Sequence, residues 1–201
     1  MIDKKRILII ASHHVSLIRF RGDFIKSLID NGFDVFTAAP EYSETYHQKI
    51  IDLGATPIAF NLQRTGLNPM KDFKSIQVLK SIMKDNKIDL VFPYTVKPVI
   101  YGSIAANMSK TPVISLITGL GYTFTGLTAK ARLLQRFNEI LYKLSIRKNK
   151  VIVFQNKDDY QLLLDRKVIS KKQRVEFVSG SGVNLNEFKF IEKNASDKVS
   201  F

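Results

Sequence analysis

The sequence predicts an α/β fold, a Rossmann-like doubly wound parallel sheet of about seven strands with helices on both faces. Short apolar runs of five to seven residues alternate along the chain with longer segments in which apolar residues recur at helical spacing. This alternation is typical of a parallel sheet, because parallel strands need a long crossover connection that is usually a helix. No internal repeat, coiled-coil pattern or low-complexity segment favours another architecture.

The predicted elements follow one another in strict alternation. The predicted strands are residues 6–11, 34–39, 56–62, 89–94, 113–117, 151–155 and 174–179. The predicted helices are residues 17–31, 44–53, 69–87, 98–108, 129–148 and 157–165.

Glycine and proline mark where several of these elements begin or end. Gly32 and Gly54 follow the first two helices, where glycine tolerates the left-handed conformation that often ends a helix. Pro40 closes the second strand. Asn68 is the predicted N-cap of the third helix and Pro69 its first residue, both positions at which these residue types are favoured.

The fifth predicted helix combines apolar and basic residues. Its apolar residues form one stripe, which consists of Leu133, Phe137, Ile140, Leu141 and Leu144. The opposite face is expected to carry the basic side chains Arg132, Arg136, Lys143 and Arg147. Residues 64–74 form a second surface of this kind. Cationic residues interleaved with apolar ones suit docking on an anionic membrane; the alternative is an ordinary solvated helix face.

The net charge of +13 is the unusual bulk property of the chain, whose pI is about 9.8. It indicates a polyanionic partner, which could be nucleic acid, an anionic membrane or a phosphorylated ligand. Apolar residues at 45% and charged residues at 24% are ordinary values for a globular core. The absence of cysteine excludes disulfides and thiolate metal sites. Because charged residues lead directly into the first strand, no secretory signal is expected. The expected location of the protein is therefore the cytosol.

Residues 111–129 are an uncharged stretch around which a binding crevice is expected. A buried strand ends there in a loop of Thr118, Gly119, Leu120 and Gly121. Glycine lets a ligand approach the backbone closely. Ligands of doubly wound sheets bind at the carboxyl ends of the strands, so this loop is a candidate binding site.

His13 and His14 lie in the turn after the first strand, at the same predicted edge. That turn has no glycine, so it lacks the dinucleotide fingerprint, and the P-loop pattern occurs nowhere. Nicotinamide enzymes and P-loop NTPases are therefore disfavoured. Only His47 remains as a further histidine and no Asp-x-Asp pair exists, so no metal is expected. The alternative for the pair is a structural role, with hydrogen bonds to the backbone.

Two basic residues are candidates for binding phosphate. Arg21 lies in the first turns of the first helix, where the helix dipole and a guanidinium fork both favour an anion. Lys97 precedes Pro98, the expected first residue of the fourth helix, and should project from a loop at the crevice edge as a point charge. For each, the alternative is a solvated surface charge.

Taken together, the segments of this chain resemble the N-terminal domain of family 4 glycosyltransferases, which have the two-domain GT-B architecture. The most similar group adds sugars to polyprenyl-diphosphate-linked saccharides. In chain order, the matching segments are Phe20-Arg21 with Gly32, Gly66-Leu67-Asn68-Pro69, Tyr94-Thr95-Val96-Lys97-Pro98 with Tyr101-Gly102, Ile117-Thr118-Gly119-Leu120-Gly121, Phe154-Gln155-Asn156, and Gly180-Ser181-Gly182-Val183-Asn184 leading to Phe188.

The resemblance implies a retaining transfer from a nucleotide-activated sugar, usually UDP-linked, to a lipid-linked saccharide, in the synthesis of a surface polysaccharide such as lipopolysaccharide or capsule, or of a glycoprotein glycan. No metal or other cofactor is expected, since the nucleotide-sugar is a substrate. The acceptor is expected at His13, His14, Thr118, Gly119, Leu120 and Gly121, phosphate at Arg21 and Lys97, and the donor-side crevice at Ser181 and Gly182. No catalytic residue is assigned, because Thr118 stands where many relatives have histidine. Asn184 likewise replaces an aspartate.

The resemblance also divides the chain. Residues 1–186 are the expected acceptor-binding domain, and residues 187–201 the expected linker and start of a C-terminal donor domain, so the chain alone is expected to be inactive. The expected partners are a nucleotide-sugar, a polyprenyl-diphosphate-linked saccharide and an anionic membrane surface, with a peripheral place on the inner face of the plasma membrane.

Two alternatives remain open. A sugar-nucleotide epimerase shares the two-domain architecture. A basic nucleic-acid-binding α/β module would explain the charge, but base stacking needs aromatic platforms on a groove. Most aromatic residues here fall in predicted strands or on apolar helix stripes. Nucleic acid is therefore not expected as a partner.

Overall fold

The computed structural model describes residues 4–62, 69–120, 129–186 and 188–190, with the backbone alone for residues 129–134. Seven strands and six helices alternate in this part of the chain, as predicted. The strands are β1 Arg6–Ile10, β2 Asp34–Ala39, β3 Thr56–Ala59, β4 Leu90–Pro93, β5 Ile114–Ile117, β6 Val151–Phe154 and β7 Val175–Phe177. The helices are α1 His14–Asp30, α2 Glu44–Asp52, α3 Pro69–Asp85, α4 Val96–Ser109, α5 Ala129–Ile146 and α6 Lys157–Asp165.

All strand pairs are parallel, which confirms the predicted sheet type. The strands form one group in the order β3-β2-β1-β4 and a second in the order β5-β6-β7. Two isolated parallel bridges, Val91 to Val113 and Tyr94 to Leu116, join β4 to the β5 side. The seven strands therefore run side by side, and their carboxyl ends meet along one edge.

The sheet is covered on both faces, and the alternation of β1 shows how. Leu8 and Ile10 belong to a large core cluster that also contains buried residues of α3, α4 and α5. Ile7 and Ile9 belong to a second cluster with buried residues of α1 and α2. Because successive strand residues point to opposite faces, one apolar run serves both cores. This confirms the doubly wound arrangement.

The ends of several elements differ from the sequence prediction. β3 stops at Ala59, although Phe60 and Leu62 beyond it are still buried. Because these two residues are buried, the apolar pattern continues beyond the last paired residue of β3, and the predicted strand is longer than the observed one. Gly32 and Gly54 have φ of +85° and +91°, which confirms them as the residues that follow α1 and α2. The predicted cap Asn68 lies outside the described residues.

α4 begins earlier than its proline indicates. The first helical residue is Val96 and the N-cap is Thr95, so Pro98 is the third helical residue and Lys97 belongs to the helix instead of a loop. Proline is tolerated there because the first turn needs no intrahelical N–H partner.

Gly102 allows α4 to approach the sheet closely. A Cβ built on Gly102 would lie 2.9 Å from Cδ1 of Ile10 and 3.2 Å from Cβ of Pro93. Both distances are shorter than a normal carbon–carbon contact of about 3.5–4.0 Å. The middle of α4 is therefore held against the ends of β1 and β4.

Most of the apolar stripe predicted for α5 does not face the core. Leu141 is the exception, since it is partly buried against the large core cluster, and the side chain of Leu133 lies outside the described part of the chain. Phe137, Ile140 and Leu144 are 45%, 57% and 63% exposed. The buried face carries Tyr142 and Ile146, together with the polar residues Gln135, Asn138 and Ser145. The prediction that the basic side chains lie opposite the stripe is also wrong, since stripe and basic residues are both exposed.

Among the helices that the structure describes, none is both long and apolar enough to cross a membrane.

Candidate functional site

The carboxyl edge of the sheet brings together residues that are far apart in the sequence. Tyr94 follows β4, Gln155 follows β6, and residues 178–182 follow β7. The first turns of α1 lie against them. The residue at the centre of this cluster is Arg21 of α1.

Arg21 is buried, at 6% exposure, and its guanidinium is held from several sides. Nη1 donates to the backbone carbonyl of Phe20 at 2.7 Å and to Oγ of Ser181 at 3.1 Å. Cζ lies 5.0 Å from the centre of the Tyr94 ring, over its face. A ring face attracts a cation, and more strongly when water is excluded.

The positive charge of Arg21 has no carboxylate partner among the residues that the structure describes. None of the ion pairs among the described residues includes Arg21, and its buried Nε has no hydrogen-bond partner there. Burial lowers the pKa of the guanidinium, and the neighbouring Tyr94 opposes that shift. A buried cation without a counter-charge is costly, so this site is suited to an anion supplied by a ligand. The alternative that Arg21 is a solvated surface charge is wrong.

Tyr94 is the floor beneath the guanidinium, with only 2% exposure. Its hydroxyl is 2.7 Å from Oγ of Ser16, and Ser16 Oγ donates to the His13 carbonyl at 2.7 Å. Because the serine proton is used on that carbonyl, Tyr94 donates to Ser16. Burial raises the pKa of Tyr94 to about 12. The ring therefore stays neutral and fixed beneath Arg21.

Ser181 is presented to Arg21 by the glycines on either side of it. Gly180 and Gly182 have φ of +76° and +70°, a left-handed conformation that favours glycine. The Ser181 hydroxyl accepts from Arg21 and also from Nε2 of Gln155 at 3.3 Å. The expected donor-side residues thus lie beside the expected phosphate-binding residue.

Thr95 adopts a strained backbone conformation at the entrance to α4. Its φ of 68° and ψ of 161° lie in a region populated almost only by glycine. Its Oγ1 donates to Oγ of Ser12, in the turn after β1, at 3.1 Å. The strain fixes how α4 leaves β4, and residues held in this way cluster at functional sites.

Lys97 lies in a different electrostatic setting from Arg21. Its Nζ is 3.6 Å from Oδ1 of Asp72 on α3, and the two side chains are only 14% and 12% exposed. The same Nζ lies 5.7 Å from the centre of the Tyr101 ring. The charge of Lys97 is therefore balanced within the fold, which makes it a weaker candidate for phosphate than Arg21.

His13 and His14 stack on each other at the start of α1, with ring centres 4.8 Å apart. His14 extends towards the β2–α2 connection, where its ring meets Tyr46 edge-on at 5.3 Å and Tyr42 at 5.9 Å. Its Nδ1 lies 3.4 Å from the carbonyl of Pro40. The backbone hydrogen bond considered as the alternative is thus present, beside a partly exposed aromatic group.

The loop after β5 is described only in part. Thr118 and Gly119 are half-buried beyond the end of the strand, and Gly119 has a φ of +152°. Leu120 is 4% exposed and belongs to the large core cluster, so its side chain packs inwards. Gly121 lies outside the described residues.

The sequence assigned no role to several residues of this cluster. Ser16 and Asp72 have side chains whose type and spacing carry no site pattern, and their roles depend on contacts across the fold. Gln155 lies in a segment that carries the family resemblance, but its contact with Ser181 is visible only in the structure. Tyr94 lies in a segment that carries the family resemblance, but its burial beneath Arg21 is visible only in the structure. Among the described residues, no group of three or more His, Asp or Glu side chains could hold a metal ion.

Comparison with known proteins gives a curated relative that matches most of this chain. A Campylobacter jejuni enzyme named N,N'-diacetylbacillosaminyl-diphospho-undecaprenol alpha-1,3-N-acetylgalactosaminyltransferase is 29% identical over 174 residues, which are 86% of this chain and 45% of that enzyme. The chain thus spans less than half the length of this curated relative.

Solved structures show the same fold at lower sequence identity. A glycosyltransferase from Rickettsia africae matches with a TM-score of 0.62 and 18% identity over 93% of this chain and 45% of its own. The S. aureus MnaA–UDP co-structure matches with a TM-score of 0.64 and 15% identity over 96% of this chain and 50% of its own. These likenesses confirm the Rossmann-like half of a GT-B architecture.

A family model described as glycosyl transferase 4-like matches residues 6–156. The match extends from the first residue of β1 to the N-cap of α6, and so includes Arg21, Tyr94 and the turn that carries Thr95. The chain therefore belongs to the glycosyl transferase 4-like family.

Proposed function

We propose that this chain is the acceptor-binding half of a retaining glycosyltransferase that moves a sugar from a nucleotide-sugar, UDP-linked, to a polyprenyl-diphosphate-linked saccharide. Membership of the glycosyl transferase 4-like family supports the transfer of a sugar. The name of the Campylobacter jejuni relative supports a diphosphate-linked acceptor. Retention and the UDP donor come from the family resemblance.

One observation carries the proposal, namely the buried and unbalanced charge of Arg21 at the carboxyl edge of the sheet. A diphosphate offers several oxygens to a guanidinium, which can bind two of them at once. Burial makes each such contact stronger than it would be in water. The acceptor side of the site would then extend from Arg21 towards His13, Thr118 and Gly119.

The chemistry asked of this half is mostly positional. The acceptor hydroxyl must be held close to the anomeric carbon, and charge on the departing diphosphate must be stabilised. Arg21 supplies a cation, and Tyr94 and Ser181 fix its direction. A lipid-linked acceptor and the net charge of +13 together support work at an anionic membrane.

Substitution of Arg21 in the full-length protein tests this proposal. Arg21→Ala should lower turnover of the diphosphate-linked acceptor on the order of 100-fold, the usual cost of losing one well-placed donor. Arg21→Lys should recover little, because an ammonium cannot replace a fork. Arg19→Ala is the matched control, since Arg19 is an exposed residue of the same helix and should keep wild-type rates.

Because Arg21 is buried, its loss will also destabilise the fold, so a second measurement is needed. Binding of a diphosphate-linked saccharide should weaken far more than binding of the same saccharide without phosphate. Equal weakening of both would show a purely structural role and contradict the proposal. Epimerisation of a UDP-sugar without any acceptor would instead support the epimerase alternative.

A further inference from the structure

The outward face of α5 is an exposed surface that the proposed function does not explain. It is apolar along Phe137, Ile140 and Leu144, and Met108 of α4 continues it with 44% exposure. A helix of a soluble domain normally turns its apolar stripe to the core. In α5 this arrangement is reversed, since the apolar stripe is exposed. The buried face holds most of the uncharged polar side chains of the helix.

Hydrogen bonds to neighbouring elements fix α5 in this orientation. Asn149, just after the helix, donates through Nδ2 to Oγ of Ser103 and Oγ of Ser115, at 3.0 Å each. Asn107 of α4 donates to the carbonyl of Ser145 at 3.1 Å. Rotating the helix to bury its stripe would break these contacts and expose Tyr142, which is 1% exposed. These buried contacts therefore keep the apolar face of α5 on the outside of the fold.

The same face is strongly cationic. Arg136 and Lys143 lie four residues before and three after Ile140, so their side chains lie beside it on the helix. Arg147 and Lys148 lie three and four residues after Leu144, in the turn that follows α5. All four are exposed, and none belongs to an ion pair among the described residues. The acid on this part of α5, Glu139, is used by Arg166 at 2.7 Å.

A groove between α4 and α5 repeats this combination. It has a volume of about 500 Å³ and is lined by both apolar and cationic side chains. The apolar residues are Ile104, Met108 and Leu144, and the cations are Arg147 and Lys148, with the amide of Asn107 beside them. An occupant of this surface should thus offer apolar groups and anions together.

We propose that the outward face of α5, with Met108 of α4, inserts into the interface of an anionic lipid bilayer. Phe137, Ile140 and Leu144 would enter the boundary of the acyl chains, while the four cations bind headgroup phosphates. A second copy of the chain is disfavoured, because a symmetric contact would set like charges against each other. The inference rests on the proposed function, since a lipid-linked acceptor brings the chain to a bilayer.

The absence of tryptophan allows a direct test of insertion. Leu144→Trp provides a single fluorophore on the proposed face. With phosphatidylcholine vesicles that contain phosphatidylglycerol, its emission should shift to the blue, and lipids brominated on the acyl chains should quench it. Leu185→Trp is the matched control, because Leu185 is 74% exposed but lies after β7, away from α5. The control should show neither effect.

Co-sedimentation with the same vesicles separates the apolar and electrostatic contributions. The double variant Ile140→Ser/Leu144→Ser should weaken binding roughly tenfold, since two apolar side chains lose their burial in lipid. Arg136→Gln/Lys143→Gln/Arg147→Gln should weaken it on the order of 100-fold at low salt. Binding should also fall as salt is added.

The proposal is overturned if the tryptophan at position 144 shows no blue shift, or if vesicles with and without phosphatidylglycerol bind equally. A dimer that is lost in Leu144→Ser, with vesicle binding unchanged, would assign the face to a second copy. These measurements contain no sugar substrate. Transfer to a short-chain, water-soluble diphosphate acceptor tests the proposed function without a bilayer, so the two can fail separately.

Discussion

Arg21 and Lys97 are both basic residues of helices that follow parallel strands, yet their surroundings differ. Lys97 lies in the first turn of α4, whereas Arg21 lies in the third turn of α1, because that helix begins at His14, three residues earlier than predicted. Arg21 is buried over the Tyr94 ring without a carboxylate among its described contacts. Lys97 lies within ion-pair distance of Asp72. The difference decides which of them has charge left for a ligand. It arises from α3, which supplies an acid to one residue and not to the other.

At the residue scale, Thr95 gives a prediction about stored strain. Thr95→Gly and Thr95→Ala both remove the hydrogen bond to Ser12, but only glycine relieves the backbone. Strain of this kind costs about 1–3 kcal/mol, and glycine loses about 0.5–1 kcal/mol of that gain through its freer unfolded chain. Thr95→Gly should therefore melt a few degrees higher than Thr95→Ala. Thermal unfolding followed by circular dichroism measures this, and an equal or reversed order would show that the conformation at Thr95 is not strained.

The family resemblance identified part of the site. Arg21, Ser181 and Gly182 were found from the resemblance, and the structure brings them together. The burial of Arg21 could not be predicted from the sequence, because it depends on contact with Tyr94, which follows β4 and is distant from Arg21 along the chain. The partner of Lys97 was hidden for the same reason. Asp72 lies 25 positions before it on a different helix, and no local pattern joins the two.

At the element scale, α4 is the helix around which the others are packed. Eight of its residues are buried, and it packs on α3, on α5 and on the sheet. Its sequence accordingly has no clear apolar stripe, since nearly every side is covered. A substitution in α4 therefore affects its packing against α3, α5 and the sheet at the same time.

Two glycines in helices offer a matched pair for testing this packing. Gly102→Ala should destabilise the fold by about 1–3 kcal/mol, because the added Cβ meets Ile10 and Pro93 in a filled core. Gly22→Ala in α1 is the control, since a Cβ there meets nothing within 4 Å of the described atoms. That change should be neutral or stabilise by up to about 1 kcal/mol, as alanine favours helix. Urea unfolding compares the two; similar stability of both variants would contradict the close approach of α4.

The order and type of elements could be predicted, whereas the orientation of α5 could not. Apolar spacing identifies strands and helices because burial imposes a period on each. The same logic assigns the apolar stripe of α5 to the core. It fails because Asn149 and Ser145 are tied to Ser103, Ser115 and Asn107 of other elements, contacts that have no periodicity along the helix.

At the scale of the whole molecule, buried tyrosines predict a loss of stability in alkali. Burial is the main cause that raises the pKa values of Tyr42, Tyr94, Tyr101 and Tyr142, with Tyr94 at about 12. In the unfolded chain they ionise near the usual value of about 10. Above that pH the unfolded state gives up protons that the folded state retains. The contribution of these tyrosines to the free energy of unfolding is therefore fully present below about pH 10, and it is lost as the pH rises from about 10 towards 12.

Thermal melting between neutral and alkaline pH measures this loss. The midpoint should be nearly level up to about pH 10 and fall steeply beyond it. Tyr142→Phe should have a shallower fall, because one fewer buried group retains its proton. A midpoint that stays level well above pH 10 would show that these rings are accessible to water.

The contact between Arg21 and Ser181 joins residues 160 positions apart in the sequence. Contacts between residues this far apart form late in folding, because ordering the long intervening segment costs conformational entropy before the contact can contribute stability. In a growing polypeptide, α1 with Arg21 is made among the first elements, and its hydroxyl partner only after β7. A chain released before that point would hold Arg21 and Tyr94 in place without the hydroxyl that Nη1 reaches. The anion site would thus be among the last parts of this fold to mature during synthesis.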